Sequence, residues 1–138
     1  MDPKLAAEIV WFDALITNVD RTARNPNLLL WRERLWMIDH GASLYFHHRA
    51  GDWTARAQDP LPLIKEHVLL GRAAPIPEAD ERLRPRLSEA VIRGIIEDVP
   101  SEWLDEEGQR EAYVEYLLAR LNGPCDWVQE AERARHLV

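Results

Sequence analysis

The chain has 138 residues, 46% of them hydrophobic and 30% charged, which suits one globular domain with a modest core and excludes a disordered or fibrous protein. Its net charge of −7, from 24 acidic and 17 basic residues, argues against nucleic-acid binding and docking on acidic membranes, where a basic surface supplies most of the affinity. No apolar run approaches the roughly 18 residues of a membrane span, and no secretory signal pattern opens the sequence. The one cysteine, Cys125, cannot form an internal disulfide, so a reducing, cytoplasmic setting is expected.

The opening DPKLAAEIVWFDALITNV predicts a helix over 3–18. Asp2 can cap it, Pro3 fits the first turn, and Leu5, Ile9, Phe12 and Ile16 recur at helical spacing. A polar loop over 19–27 follows, ending in Asn25-Pro26-Asn27. Two apolar runs, LLLW and RLWMI, flank Arg32-Glu33 and predict a β-hairpin over 28–38. Asp39-His40-Gly41 leaves the second strand, with Gly41 free to take an unusual backbone angle. Residues 42–62 are partly aromatic and lack a clear period, so a long loop is expected. A helical bundle over 63–136 comes next, with helices at 63–70, 79–97 (interrupted near Pro85), 101–104, 107–121 and 125–135. The expected class is mainly α with one β-hairpin, an α+β arrangement.

The loop and hairpin carry the chemistry. Asp20, Asn25 and Asp39 are each ordinary turn residues when taken alone. Their order is less ordinary. Transfer of a phosphoryl group asks for a carboxylate beside the attacking hydroxyl and for oxygen ligands that hold Mg²⁺ against the phosphates. Mg²⁺ takes one or two carboxylates, water and phosphate oxygen. Asp20 and Asn25 come from one loop, and a two-stranded return is the shortest fixed path that brings Asp39 back beside them.

Asp20-Arg21-Thr22-Ala23-Arg24-Asn25, the hairpin and Asp39-His40-Gly41 together resemble the catalytic loop and metal-binding triplet of the protein-kinase-like fold. The likeness is to HipA-like kinases, whose loops tend to read N-x-D-R/A-x-x-x-N. The phrases WFDALITNVDRTARNPNLLL and LWMIDHGASLYFHH carry most of it. The resemblance implies a kinase-like C-terminal lobe in which residues 42–62 form an activation-type loop. Asp20 would orient or accept the proton of the substrate hydroxyl, and Asn25 and Asp39 would be the Mg²⁺ ligands. His40 and Gly41 would support them, and ATP would be the phosphoryl donor to a Ser/Thr-type hydroxyl, a protein substrate included.

The triplet is D-H-G. Kinase-like enzymes carry a glycine-rich phosphate loop and a lysine ahead of the catalytic loop. The glycines at 41, 51, 71, 94, 108 and 123 form no such loop, Lys4 falls in the first helix, and Lys65 lies downstream. The expectation is therefore a lobe completed by an N-terminal lobe, from a separate chain or a longer protein. An alternative is a non-catalytic, pseudokinase-like binding module. A weaker one is a metal-dependent phosphoesterase using Asp39, His40 and the pair His47-His48, although adjacent histidines on a strand face opposite sides.

Six tryptophans are spread over every element and are expected mostly in the core. Trp11, Trp31 and Trp36 are instead candidates for an apolar patch, covered by a complementary lobe or a second copy. His40 is expected to steady the loop by a hydrogen bond. Cys125 is expected to be small and inert, and Asp105-Glu106-Glu107 a solvated helix start.

Overall fold

Helix α1 (Pro3–Leu15) begins where its sequence dictates: the Asp2 side chain accepts from the Lys4 amide at 3.1 Å, and proline fills the first turn. In the computed structural model, which describes residues 1–44, 52–104 and 108–138, this helix is the central element. Ala6, Ala7, Ile9, Val10, Trp11, Ala14 and Leu15 are all buried, so α1 is covered almost all round. The expected stripe is only partly the buried one, because Leu5 and Phe12 stay exposed while small alanines let other helices approach closely.

The helix also ends earlier than the expected residue 18. Thr17 takes a left-handed conformation (φ 53°). The Asn18 amide reaches back to the Asp13 carbonyl at 2.8 Å, and the Thr17 amide to the Ala14 carbonyl at 3.4 Å. This is a Schellman stop with threonine where glycine is usual.

Strands β1 (Leu28–Trp31) and β2 (Arg34–Met37) pair antiparallel, Leu28 opposite Met37 and Trp31 opposite Arg34. The expected hairpin is therefore present. Leu28, Leu35 and Met37 pack on the core from one face.

Among the described residues, no α-helix forms over 63–70. Instead Pro62–Glu66 and Leu70–Arg72 are 3-10 turns, and His67 between them is extended. The cause is long-range: His67 bridges Thr22, and the Val68 amide donates to the Arg21 carbonyl at 3.0 Å. The stretch expected at 79–97 divides into α2 (Ile76–Leu83) and α3 (Glu89–Glu97), broken by the Pro85 turn and restarted by the Ser88 cap. Ser101–Trp103 is a 3-10 turn, followed by α4 (Gln109–Asn122) and α5 (Asp126–Arg135). Residues 105–107, the acidic run, lie outside the described residues.

Among the described residues the fold is thus mostly helical with one two-stranded antiparallel hairpin. Its centre is Trp11 against Trp127, ring centroids 5.6 Å apart, with the Trp11 indole N–H donating to Asp80 at 2.7 Å. Trp11 therefore does not belong to a surface patch. Trp31 and Trp36 are exposed, and so is Trp103, so the tryptophans are less often in the core than expected. Cys125 is buried. No helix among the described residues is long and apolar enough to cross a membrane.

Candidate functional site

The site is built outward from a buried charge. Asp13, on the last turn of α1, is fully buried. It accepts from Asn18 Nδ2 at 2.9 Å, Arg21 Nε at 2.5 Å and His67 Nε2 at 2.9 Å. Burial pushes its carboxyl pKa up, but the hydrogen bonds from His67, Arg21 and Asn18, with the Arg21 charge, outweigh burial and hold it below the ordinary range. The His67 Nδ1 accepts from the Leu69 amide at 3.1 Å, so its proton sits on Nε2, facing Asp13.

This cluster fixes the loop that follows. The other end of the Asn18 carboxamide accepts from the Asp20 amide at 3.2 Å. The Thr22 amide donates to the carbonyls of Asp20 (2.8 Å) and Asn25 (3.1 Å), folding 20–25 into a tight turn. Within it Asn25 Nδ2 donates to Asp20 Oδ2 at 2.6 Å. Asp20 and Asn25 are therefore in direct contact, and the oxygen of the Asn25 carboxamide remains available to a cation.

Asp39 joins them through Asn27. The Asn27 Nδ2 lies 3.5 Å from Asp20 Oδ2 and 3.4 Å from the Asp39 carbonyl oxygen. Both Asn27 (φ 47°) and Asp39 (φ 51°) are left-handed, a conformation Asn and Asp tolerate better than most residues. The expected unusual angle thus belongs to Asp39, not Gly41. The Asp39 carboxylate is exposed and accepts from the Gly41 amide at 3.3 Å. It reaches the site's edge by its backbone, with its carboxylate folded back over the triplet.

The Nε2 of His40 is 3.1 Å from Arg21 Nη2, and its ring meets Phe12 edge-on at 6.1 Å. Nε2 therefore faces a guanidinium. His47 and His48 lie outside the described residues. Among the described residues, no three His, Cys, Asp or Glu side chains cluster as a metal site. The loop itself offers the Asp20 carboxylate and the Asn25 amide oxygen, hard oxygen groups of the kind Mg²⁺ takes with water and phosphate, whereas the Asp39 carboxylate is turned to the Gly41 amide.

Asp13, Asn18, Arg21, Asn27 and His67 were not singled out from sequence. One signal for Asp13 was present: a lone acid between Phe12 and Ala14-Leu15, where an unpaired charge would be costly. His67 carried none. Comparison of the chain with protein-family models, curated proteins and solved structures found no match.

Proposed function

We propose that the chain is a kinase-like catalytic lobe of the HipA-like type, which transfers a phosphoryl group from ATP, with Mg²⁺, to a Ser/Thr-type hydroxyl when a phosphate-binding lobe faces its hairpin. The observation that carries the reading is the juxtaposition of Asp20 and Asn25 in one turn, with the Asp39 backbone held to the same Asn27 amide. In this reading Asn25 and Asp39 would hold the cation through oxygen. The metal would neutralise phosphate charge. Asp20, half-buried beside them, accepts or orients the proton of the attacking hydroxyl. Little covalent chemistry is asked of the protein; fixed geometry is.

The exposed apolar side chains of the hairpin support the rival reading, a non-catalytic module whose hairpin face binds a partner. Calorimetric titration with ATP, with and without Mg²⁺, separates the two. The catalytic reading expects weak binding that requires Mg²⁺ and is lost in Asp39→Ala with the fold retained. Binding indifferent to Mg²⁺ and to Asp39, or none, favours the module.

A further inference from the structure

Arg21 lies beside the proposed catalytic residue yet points away from it, into the protein, where it is fully buried. Its guanidinium touches both halves of the site. Nε donates to Asp13, and Nη1 donates to the Asn27 carbonyl, with the Pro26 carbonyl at 3.4 Å. Nη2 faces His40 Nε2 at 3.1 Å. A guanidinium only donates, so His40 accepts there and carries its proton on Nδ1. The Asn27 carbonyl that Arg21 holds also accepts from the Ile38 amide at 3.0 Å, and the Asn27 side chain spans Asp20 and Asp39.

We propose that Arg21, locked by Asp13, is a positioning residue that sets the spacing between the Asp20–Asn25 turn and the Asp39–Gly41 triplet, through the Asn27 carbonyl on one arm and His40 on the other. A planar fork with fixed donor directions can hold three partners in one geometry; a lysine can replace the charge but not the fork. The meaning of that spacing for chemistry rests on the phosphoryl-transfer reading, whereas the coupling itself is a property of the fold.

The test uses the isotope-labelled full chain with His40→Leu, His40→Gln and Arg21→Lys. His40→Leu should move the Asp20 amide and Asn25 side-chain amide resonances, although His40 contacts neither. His40→Gln, whose amide oxygen can accept from Arg21, should return them toward the wild-type positions. Arg21→Lys should speed hydrogen exchange at the Ile38 amide by about tenfold or more. Should Arg21→Lys fail to fold, the His40 pair still decides, because His40 is only partly buried. Shifts confined to Phe12 and residues 39–43 in His40→Leu, or no recovery in His40→Gln, would overturn the coupling. Absence of Mg²⁺-dependent ATP binding in the wild-type chain would overturn the phosphoryl-transfer reading alone.

Discussion

The carboxylate of Asp13 sits in the core with three side chains donating to it, and this sets how the fold responds to acid. Its pKa is lowered in the folded chain, so between that value and about 3.9 the unfolded chain binds the extra proton. Its stabilisation is complete above about pH 4 and is lost as pH falls through the folded value. Asp13→Asn keeps the shape but leaves the Arg21 cation buried without its counter-ion, an expected loss of about 3–5 kcal/mol near neutral pH. Urea unfolding at a series of pH values should show that loss together with a shallower acid limb; equal slopes for both proteins would count against the assignment. Asp2 as a cap was legible because capping is local. Asp13 with His67 was not, since the partners are 54 residues apart and a charged residue is ordinarily solvated. Arg120 is a second case: fully buried, it donates to the carbonyls of Ala14 (2.8 Å) and Ala57 (2.7 Å) and lies over Trp127.

Among the elements, the hairpin shows how far local pattern reaches. Its strands were legible as two apolar runs around a polar pair, but its turn departs from the preferred chemistry. Arg32 (φ 49°) and Glu33 (φ 63°) both take left-handed angles, those of a type I′ turn that prefers Asn-Gly. Replacing Arg32-Glu33 by Asn-Gly should stabilise the hairpin by about 1–2 kcal/mol, seen as slower amide exchange in β1 and β2. Unchanged exchange would mean that the strain is relieved elsewhere. At the end of α4, Gly123 leaves room for Gln58, which donates to the Ala119 carbonyl at 2.6 Å and accepts from the Cys125 amide at 2.8 Å. A Cβ there would collide with Gln58, so Gly123→Ala should cost about 1–3 kcal/mol in chemical denaturation. An unaffected midpoint would show that Gln58 can leave without loss. The segment 63–70 was illegible as 3-10 turns because its apolar spacing suits a helix, and only pairing with the loop at Arg21 and Thr22 draws it out.

At the scale of the whole molecule, the acidic, mostly helical body presents one face that its own core does not cover. Leu29, Trp31, Trp36 and Ile38 are exposed together, at 46%, 56%, 49% and 44%. Strand alternation and the pairing of Leu29 with Trp36 put them on the hairpin face opposite the core-facing Leu28 and Met37. At about 25 cal/mol for each Å² of apolar surface, covering these side chains would stabilise any complex that fits them. A second copy or a complementary lobe is the expected cover. Light scattering over a wide concentration range should show association that Trp31→Ser with Trp36→Ser abolishes; a concentration-independent monomer would favour a self-sufficient module. In the proposed reading Asn25 and Asp39 hold one nucleotide-bound cation beside Asp20. Paramagnetic broadening by Mn²⁺-ATP tests it most directly, because the cation reports its own neighbours. Joint broadening of the Asn25 side-chain amide and the Gly41 amide is expected at substoichiometric Mn²⁺-ATP, reversed by excess Mg²⁺-ATP. Broadening at one of them without the other, or at neither, would contradict it.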